Sequence, residues 1–200
     1  MPARSSPSPA SPPSEPMTRG TILHSTAQAV REIWGDEGLR DIAERLPADT
    51  RAATTGPEFN ALSWYPSRYV IDWDTAKMAG PARGDEEAFR RSVDRGTDLG
   101  FGRIRRAFLS FATPVLLANK AAELWRHDHT HGTLTVDSTN RAEGRARVTL
   151  VGHPFVGAPV SRSAFAEVLR YILSLSRARN VRETHALTGE ALVVALTWDI

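Results

Sequence analysis

The chain comprises 200 residues, 41% of them hydrophobic and 24% charged, which is enough to bury a full core and fits one domain better than two. It has no cysteine, and this excludes disulfides, thiolate nucleophiles, iron–sulfur clusters and cysteine-ligated zinc. The net charge of +2 rests almost wholly on arginine, lysine occurring only at Lys77 and Lys120, and no basic face or reading motif marks a nucleic-acid binder.

Residues 1–16 (MPARSSPSPASPPSEP) hold six prolines and five serines and no large aliphatic side chain apart from Met1. Such a segment cannot bury enough apolar surface to offset its ordering entropy, so it reads as a disordered tail, with a polyproline docking segment as the alternative. A single domain is expected over residues 17–200. No apolar run reaches the roughly 18 residues of a membrane span, and the N-terminus lacks the apolar heart of a secretory signal. The expectation is a cytoplasmic protein without a membrane span.

From Thr18 the spacing of Leu23, Ala27, Val30 and Trp34 predicts a helix that stops at Gly35. A second helix restarts with Asp36 as its cap and Leu39, Ile42, Ala43 and Leu46 as its buried stripe, ending before Pro47. Pro66 suits the first turn of a third, with Tyr69, Val70, Trp73 and Lys77 on adjacent turns. Residues 84–127 form a helical run with interruptions at Gly96–Gly102 and Thr113–Pro114. Its apolar side chains, among them Phe89, Val93, Phe101, Phe108, Phe111, Leu117 and Trp125, line a wall that bends where glycine and proline permit.

After Gly132 the hydrophobic period changes from about 3.6 to 2. Leu134 and Val136, then Val148, Leu150 and Phe155, predict a hairpin around a polar turn near Asn140. Ser161–Ser176 reads as an amphipathic helix, and Val181–Leu187 with Ala191–Trp198 reads as a second hairpin about Thr188-Gly189. The predicted class is α+β: a helical N-terminal half followed by a β-β-α-β-β unit forming a four-stranded antiparallel sheet.

Several local runs together resemble a paralogous family of myxobacterial proteins with no assigned activity. They are Gly20-Thr21-Ile22-Leu23, Trp34-Gly35-Asp36-Glu37-Gly38-Leu39, Trp64-Tyr65-Pro66, Asp98-Leu99-Gly100, Thr113-Pro114 and the closing Gly189 with Leu196-Thr197-Trp198. The resemblance covers about residues 18–200. The order of elements is more distantly similar to haem nitric-oxide-binding domains, vinyl-reductase-type small-molecule-binding domains and Bet3-type subunits of the vesicle-tethering complex. It implies an apolar space between helices and sheet, or a dimer surface, and no catalytic residue. The chain lacks the Tyr-x-Ser-x-Arg run that holds the propionates in the haem-binding relatives, so haem is carried over to no residue. Without cysteine, neither the acyl-cysteine of the Bet3-type proteins nor the cysteine metal ligands of some vinyl-reductase-type domains can be present.

The sharpest local cluster is His127-Asp128-His129-Thr130-His131, with His153 further on. In a strand, alternate imidazoles share a face and can converge on a transition metal; at a helix end, the same residues are solvated cations favoured by the dipole. His24 on the first helix reads either as an axial haem or ligand contact or as an ordinary surface histidine. Gly100-Phe101-Gly102 begins a dinucleotide fingerprint, but Arg105 takes the place of its last glycine and no strand precedes it. No phosphate-binding Gly-x-x-x-x-Gly-Lys loop, serine elbow or His-Glu-x-x-His pair occurs.

The residues taken to border a ligand pocket are Tyr65, Tyr69, Trp73, Phe101, Phe108 and Phe111, since aromatic rings combine apolar area with a polar handle; each of these also fits ordinary core packing. Trp198, in phase with Leu192, Val194 and Leu196, is a core anchor. The expected function is that of a non-catalytic sensor or adaptor domain binding a small apolar ligand or a protein partner, as a homodimer, with no cofactor, no metal and no nucleic acid. The alternative is a haem- or metal-binding protein or enzyme using His24 or the His127, His129 and His131 cluster.

Overall fold

The computed structural model describes residues 15–199 apart from 112 and 141–143, with the backbone alone described at 102–111, 114, 115, 118, 119 and 137–140. The sequence-predicted tail lies outside the described residues up to position 14. Pro16 is already docked, its carbonyl accepting from Ser67 N at 2.8 Å.

The chain enters through a short strand β1 (Met17–Arg19) that pairs antiparallel with β2 (Trp64–Pro66), Thr18 opposite Tyr65. Helix α1 (Gly20–Arg45) begins directly behind β1, and its backbone breaks once, at Gly35, where φ is 69°. The Gly35 stop and immediate restart expected from the sequence are therefore present, as a kink within one long element. Helix α2 (Ala48–Thr55) follows Pro47, and α3 (Arg68–Ala79) follows β2. Pro66 thus closes a strand instead of opening a helix: the hydrogen bonds of β1 recruit Trp64–Pro66, a long-range pairing that local periodicity does not show.

Helix α4 (Glu86–Phe111) runs without interruption through the glycines at 96, 100 and 102, where a break was expected. Gly96 and Gly100 are used for close approach to α1: a Cβ at Gly96 would stand 3.7 Å from Ser25 O, and one at Gly100 3.4 Å from Ser25 Oγ. The second expected interruption is real. Helix α5 (Pro114–Asp128) starts with Thr113 as cap, its hydroxyl accepting from Leu116 N, and proline in the first turn.

The β-β-α-β-β unit is present as β3 (Thr133–Asn140), β4 (Arg145–Val151), α6 (Pro159–Ser174), β5 (Arg179–Thr188) and β6 (Ala191–Asp199). All pairs are antiparallel in the order β3-β4-β6-β5, so the last strand is central and joins the two hairpins, Val148 opposite Val194. Strict alternation turns Ala146, Val148 and Leu150 of β4 and Leu192, Val194, Leu196 and Trp198 of β6 inward. Phe155 is buried as expected, but in a 3-10 turn (Pro154–Gly157) between β4 and α6.

Helix α6 lies on the sheet, α3 and α4 pack on α6, α1 packs on α4, and α5 packs on β3. The inner face of the sheet is thereby roofed by helices from both halves of the chain. Among the described residues, no helix is long and apolar enough to cross a membrane.

Candidate functional site

The roof does not close onto the sheet. Helices α1, α3, α4, α5 and α6 and the inner sheet face surround a cavity of about 460 Å³, within the roughly 300–1,000 Å³ range of small-molecule sites. Each element contributes the stripe its period places inward. Helix α1 gives Ile22, Ser25 and Thr26; α4 gives Val93, Gly96, Thr97, Gly100 and Phe101; α5 gives Leu117, Ala121, Leu124 and Trp125. The floor is Leu134, Ala146, Val148 and Leu196 from the sheet, and α6 supplies Phe165, Val168, Leu169 and Ile172. Thr21 and His127, both exposed, mark where the cavity reaches the surface.

Two clusters of polar side chains stand on this largely apolar lining, beside the scattered hydroxyls of Ser25, Thr26, Ser92 and Thr97. The first stands on α3. Lys77 is 2% exposed and its Nζ lies 3.2 Å from Asp74 Oδ1, while Ser161 donates its hydroxyl to Asp74 Oδ2 at 3.1 Å. The ammonium also sits 4.7 Å above the Phe89 ring, a cation–π contact that burial strengthens. Burial pushes the Asp74 carboxyl above its ordinary range, and the Lys77 charge opposes this.

The second group lies at the α5 terminus. His129 is buried, its ring stacked on Trp125 with centroids 3.8 Å apart. Its Nδ1 is 3.1 Å from Thr18 Oγ1, which in turn is 2.7 Å from Ser67 Oγ. His153 stands edge-on to both Trp125 and His129. Its Nδ1 accepts from Phe155 N at 3.3 Å, so its proton sits on Nε2, and that buried atom has no hydrogen-bond partner among the described residues. Burial lowers the pKa of both imidazoles, that of His153 to about 3, and both are neutral rings in an aromatic cluster.

Of the residues singled out from the sequence as pocket-forming, Phe101 stands on the cavity wall, and the side chains of Phe108 and Phe111 lie outside those described. Tyr65, Tyr69 and Trp73 lie elsewhere. Tyr65 packs on Phe59 and Tyr69, with its hydroxyl accepting from Asn60 N, and the Trp73 indole donates to Thr54 Oγ1 at 2.9 Å. Helix α3 turns the neighbouring stripe, Val70, Asp74 and Lys77, toward the cavity. The buried pair of Asp74 and Lys77, with Ser161, carries no recognisable sequence signature; only its i, i+3 spacing, in phase with Val70, could have pointed to it.

The histidine cluster is split. His127 is exposed and hydrogen-bonded to Asp128, His129 is buried, and His131 meets Thr130 Oγ1. Among the described residues, no three histidine or acidic side chains are placed to hold a metal ion. His24 is exposed and stacked against Phe59, and is not part of the cavity wall.

No protein-family model and no curated protein matches the chain. Solved structures do. An oxygen-binding H-NOX domain related to soluble guanylate cyclases, in its oxygen complex, superposes with a TM-score of 0.61 at 11% identity, over 91% of this chain and 95% of that one. The Fe(II) unliganded H-NOX protein from K. algicida gives 0.62 at 8% identity, over 91% and 97%. An H-NOX structure determined to probe the function of haem distortion gives 0.62 at 12% identity, over 91% and 95%. The fold is that of the H-NOX domains, in keeping with the distant similarity to haem nitric-oxide-binding domains that the order of elements implies.

That fold raises the question of whether these residues fit haem. The iron needs an axial donor on the wall, and two propionates need cationic or hydrogen-bonding partners. The described lining contains no methionine or tyrosine, and its imidazoles are His127, exposed and engaged by Asp128, and His129, covered by Trp125 and engaged by Thr18. Its only cation apart from imidazole is Lys77, which is committed to Asp74. The described residues do not fit haem.

Proposed function

We propose that this domain is a non-catalytic sensor or adaptor that receives a small apolar molecule in the cavity between its helices and its sheet. The observation that carries the reading is the cavity itself. Protein interiors are close-packed, and an unfilled apolar space forfeits the dispersion contacts of its lining. An apolar guest restores those contacts and leaves water behind. The walls come from both halves of the chain, so a guest that binds there bears on the packing of α1 and α4 against α6 and the sheet. The H-NOX likeness supports this reading through the fold, and the described lining residues, which do not fit haem, turn it toward an organic guest.

The test is native mass spectrometry of untagged full-length protein, followed by denaturation and identification of whatever is released. A stoichiometric organic molecule is the expected result. Turnover of a candidate substrate that is lost on changing one cavity residue would overturn the non-catalytic part of the reading, and haem in stoichiometric amount would overturn the organic part.

A protein-partner reading is favoured by a different feature, the outer face of the sheet. There Thr149 stands opposite Val193 and Arg147 opposite Ala195, with Thr184 and Ala186 beyond them. A second copy covering this face is the homodimer of that reading. Light scattering on wild type and on Val193→Arg tests it, with loss of a dimer in the variant as the expected result.

A further inference from the structure

The cavity has one chemically distinct end. Lys77 and Asp74 lie one helical turn apart on α3, both essentially buried, with Ser161 of α6 and Ser92 of α4 beside them on the lining. Both carboxylate oxygens of Asp74 are used, Oδ1 by Lys77 and Oδ2 by the Ser161 hydroxyl. Ser92 directs its own hydroxyl proton to Phe89 O at 2.6 Å. The Lys77 ammonium carries three N–H donors. One faces Asp74 and the Phe89 ring lies beneath the charge, and among the described residues no other acceptor meets it. Among the described residues, this end of the cavity therefore offers a spare buried donor and no spare proton acceptor other than serine lone pairs.

Charge decides what complements it. The lysine and aspartate already cancel, so a guest that brings a carboxylate or an ammonium would place a net charge in an apolar interior, at a cost far above that of a neutral dipole. A neutral acceptor adds no net charge and satisfies a donor that would otherwise stay unpaired.

We infer that the guest is an uncharged apolar molecule ending in a carbonyl-type acceptor, and that Lys77 Nζ, held in place by Asp74 and Ser161, donates to that acceptor. The inference rests on the ligand-binding reading above and narrows it to a ligand class. Lys77 is a recognition residue here, and no bond is made or broken.

The experiment uses full-length protein, an apolar fluorophore held in the cavity, and two probes of the same shape that displace it: butylbenzene, and butyrophenone, in which one methylene is replaced by a carbonyl. Butyrophenone is expected to compete about tenfold more tightly, the scale of one hydrogen bond from a charged donor. In the charge-neutral double variant Asp74→Asn/Lys77→Met that ratio should fall to within about twofold while butylbenzene still binds. Because the double variant perturbs a buried pair, the infrared carbonyl stretch of butyrophenone bound to wild type gives a second readout, expected below its frequency in alkane.

Equal affinity of the two probes for wild type, or an unshifted stretch, overturns the carbonyl assignment and leaves the apolar-guest reading standing. Tighter binding of 5-phenylpentanoate than of the ketone overturns the uncharged terminus. Failure of the fluorophore and both probes to bind overturns the inference together with the reading on which it rests.

Discussion

His129 lies flat on Trp125, ring centroids 3.8 Å apart and planes 17° from parallel, and this stack lines the cavity where α5 gives way to the sheet. His153 closes its edge, with Phe155 4.2 Å beyond. A histidine used in this way is an aromatic plate that must stay uncharged.

The pH dependence follows from that requirement. The folded pKa of His153 is held at about 3 against an ordinary 6.5, and that of His129 is also lowered. The unfolded chain therefore binds more protons than the folded one below about 6.5, and the stability tied to the neutral rings is lost as the pH falls through that window. His153→Asn keeps an acceptor for Phe155 N and has no titrating ring. A plot of Tm against pH is expected to fall less steeply between pH 6.5 and 3 for this variant than for wild type.

The opposite slope arises where α4, α6 and β5 meet. Burial and the neighbouring Glu167 carboxylate push Asp94 up to about 7, against the pull of Arg170, whose guanidinium donates to Asp94 Oδ2 at 2.7 Å. Glu167 is held by Arg90 and Arg170, and Arg90 also bridges to Glu183, beside which His185 stands. Asp94 Oδ1 is buried, and among the described residues no N–H or hydroxyl reaches it. The folded state binds the extra proton, so this contribution is complete below the ordinary carboxylate value of 3.8 and is lost as the pH rises through about 7. Asp94→Asn is expected to flatten that decline in Tm.

Two glycines separate backbone conformation from packing. Gly35 and Gly132 both have positive φ, 69° and 83°, but a Cβ on Gly35 meets nothing within 4 Å, whereas one on Gly132 falls 2.8 Å from His153 Cβ. Gly35→Ala should cost about 1–3 kcal/mol, because its φ of 69° with ψ of −169° lies in a region that only glycine adopts readily. Gly132→Ala should cost more, because the aromatic cluster must also shift. Denaturant unfolding of the pair measures the difference, and equal costs would show that the cluster yields freely.

Gly96→Ala should behave in the opposite sense. Position 96 is interior to α4, its φ is not positive, and an added methyl would sit at ordinary contact distance from α1. The variant is expected to gain up to about 1 kcal/mol from helix propensity, measured as a rise in the denaturation midpoint.

The second half of the fold was largely legible because its elements announce themselves locally. Leu192, Val194, Leu196 and Trp198 alternate, Gly189 makes the turn, and α6 carries one broad apolar stripe. The first half was harder to read where tertiary contacts override local signals. Gly96, Gly100 and Gly102 look like a break in isolation and are tolerated in α4, two of them where α1 packs closely. β1 and β2 are three residues each, and only their pairing across the chain makes them strands. In the site, Phe101 was visible as part of an aromatic wall, but the choice between the Tyr69 and Trp73 stripe and the Val70, Asp74 and Lys77 stripe depends on how α3 is rotated against α6. Composition and spacing do not fix that rotation.

The central claim is that the cavity accepts a small apolar molecule, and thermal unfolding in the presence of butylbenzene tests it most directly, on wild type and on Ala121→Phe, which places a ring from α5 into the cavity. A guest that binds only the folded state raises Tm as its concentration passes Kd. The predicted result is a saturable rise for wild type and none for Ala121→Phe. No rise for wild type, or an equal rise for both proteins, would contradict the account.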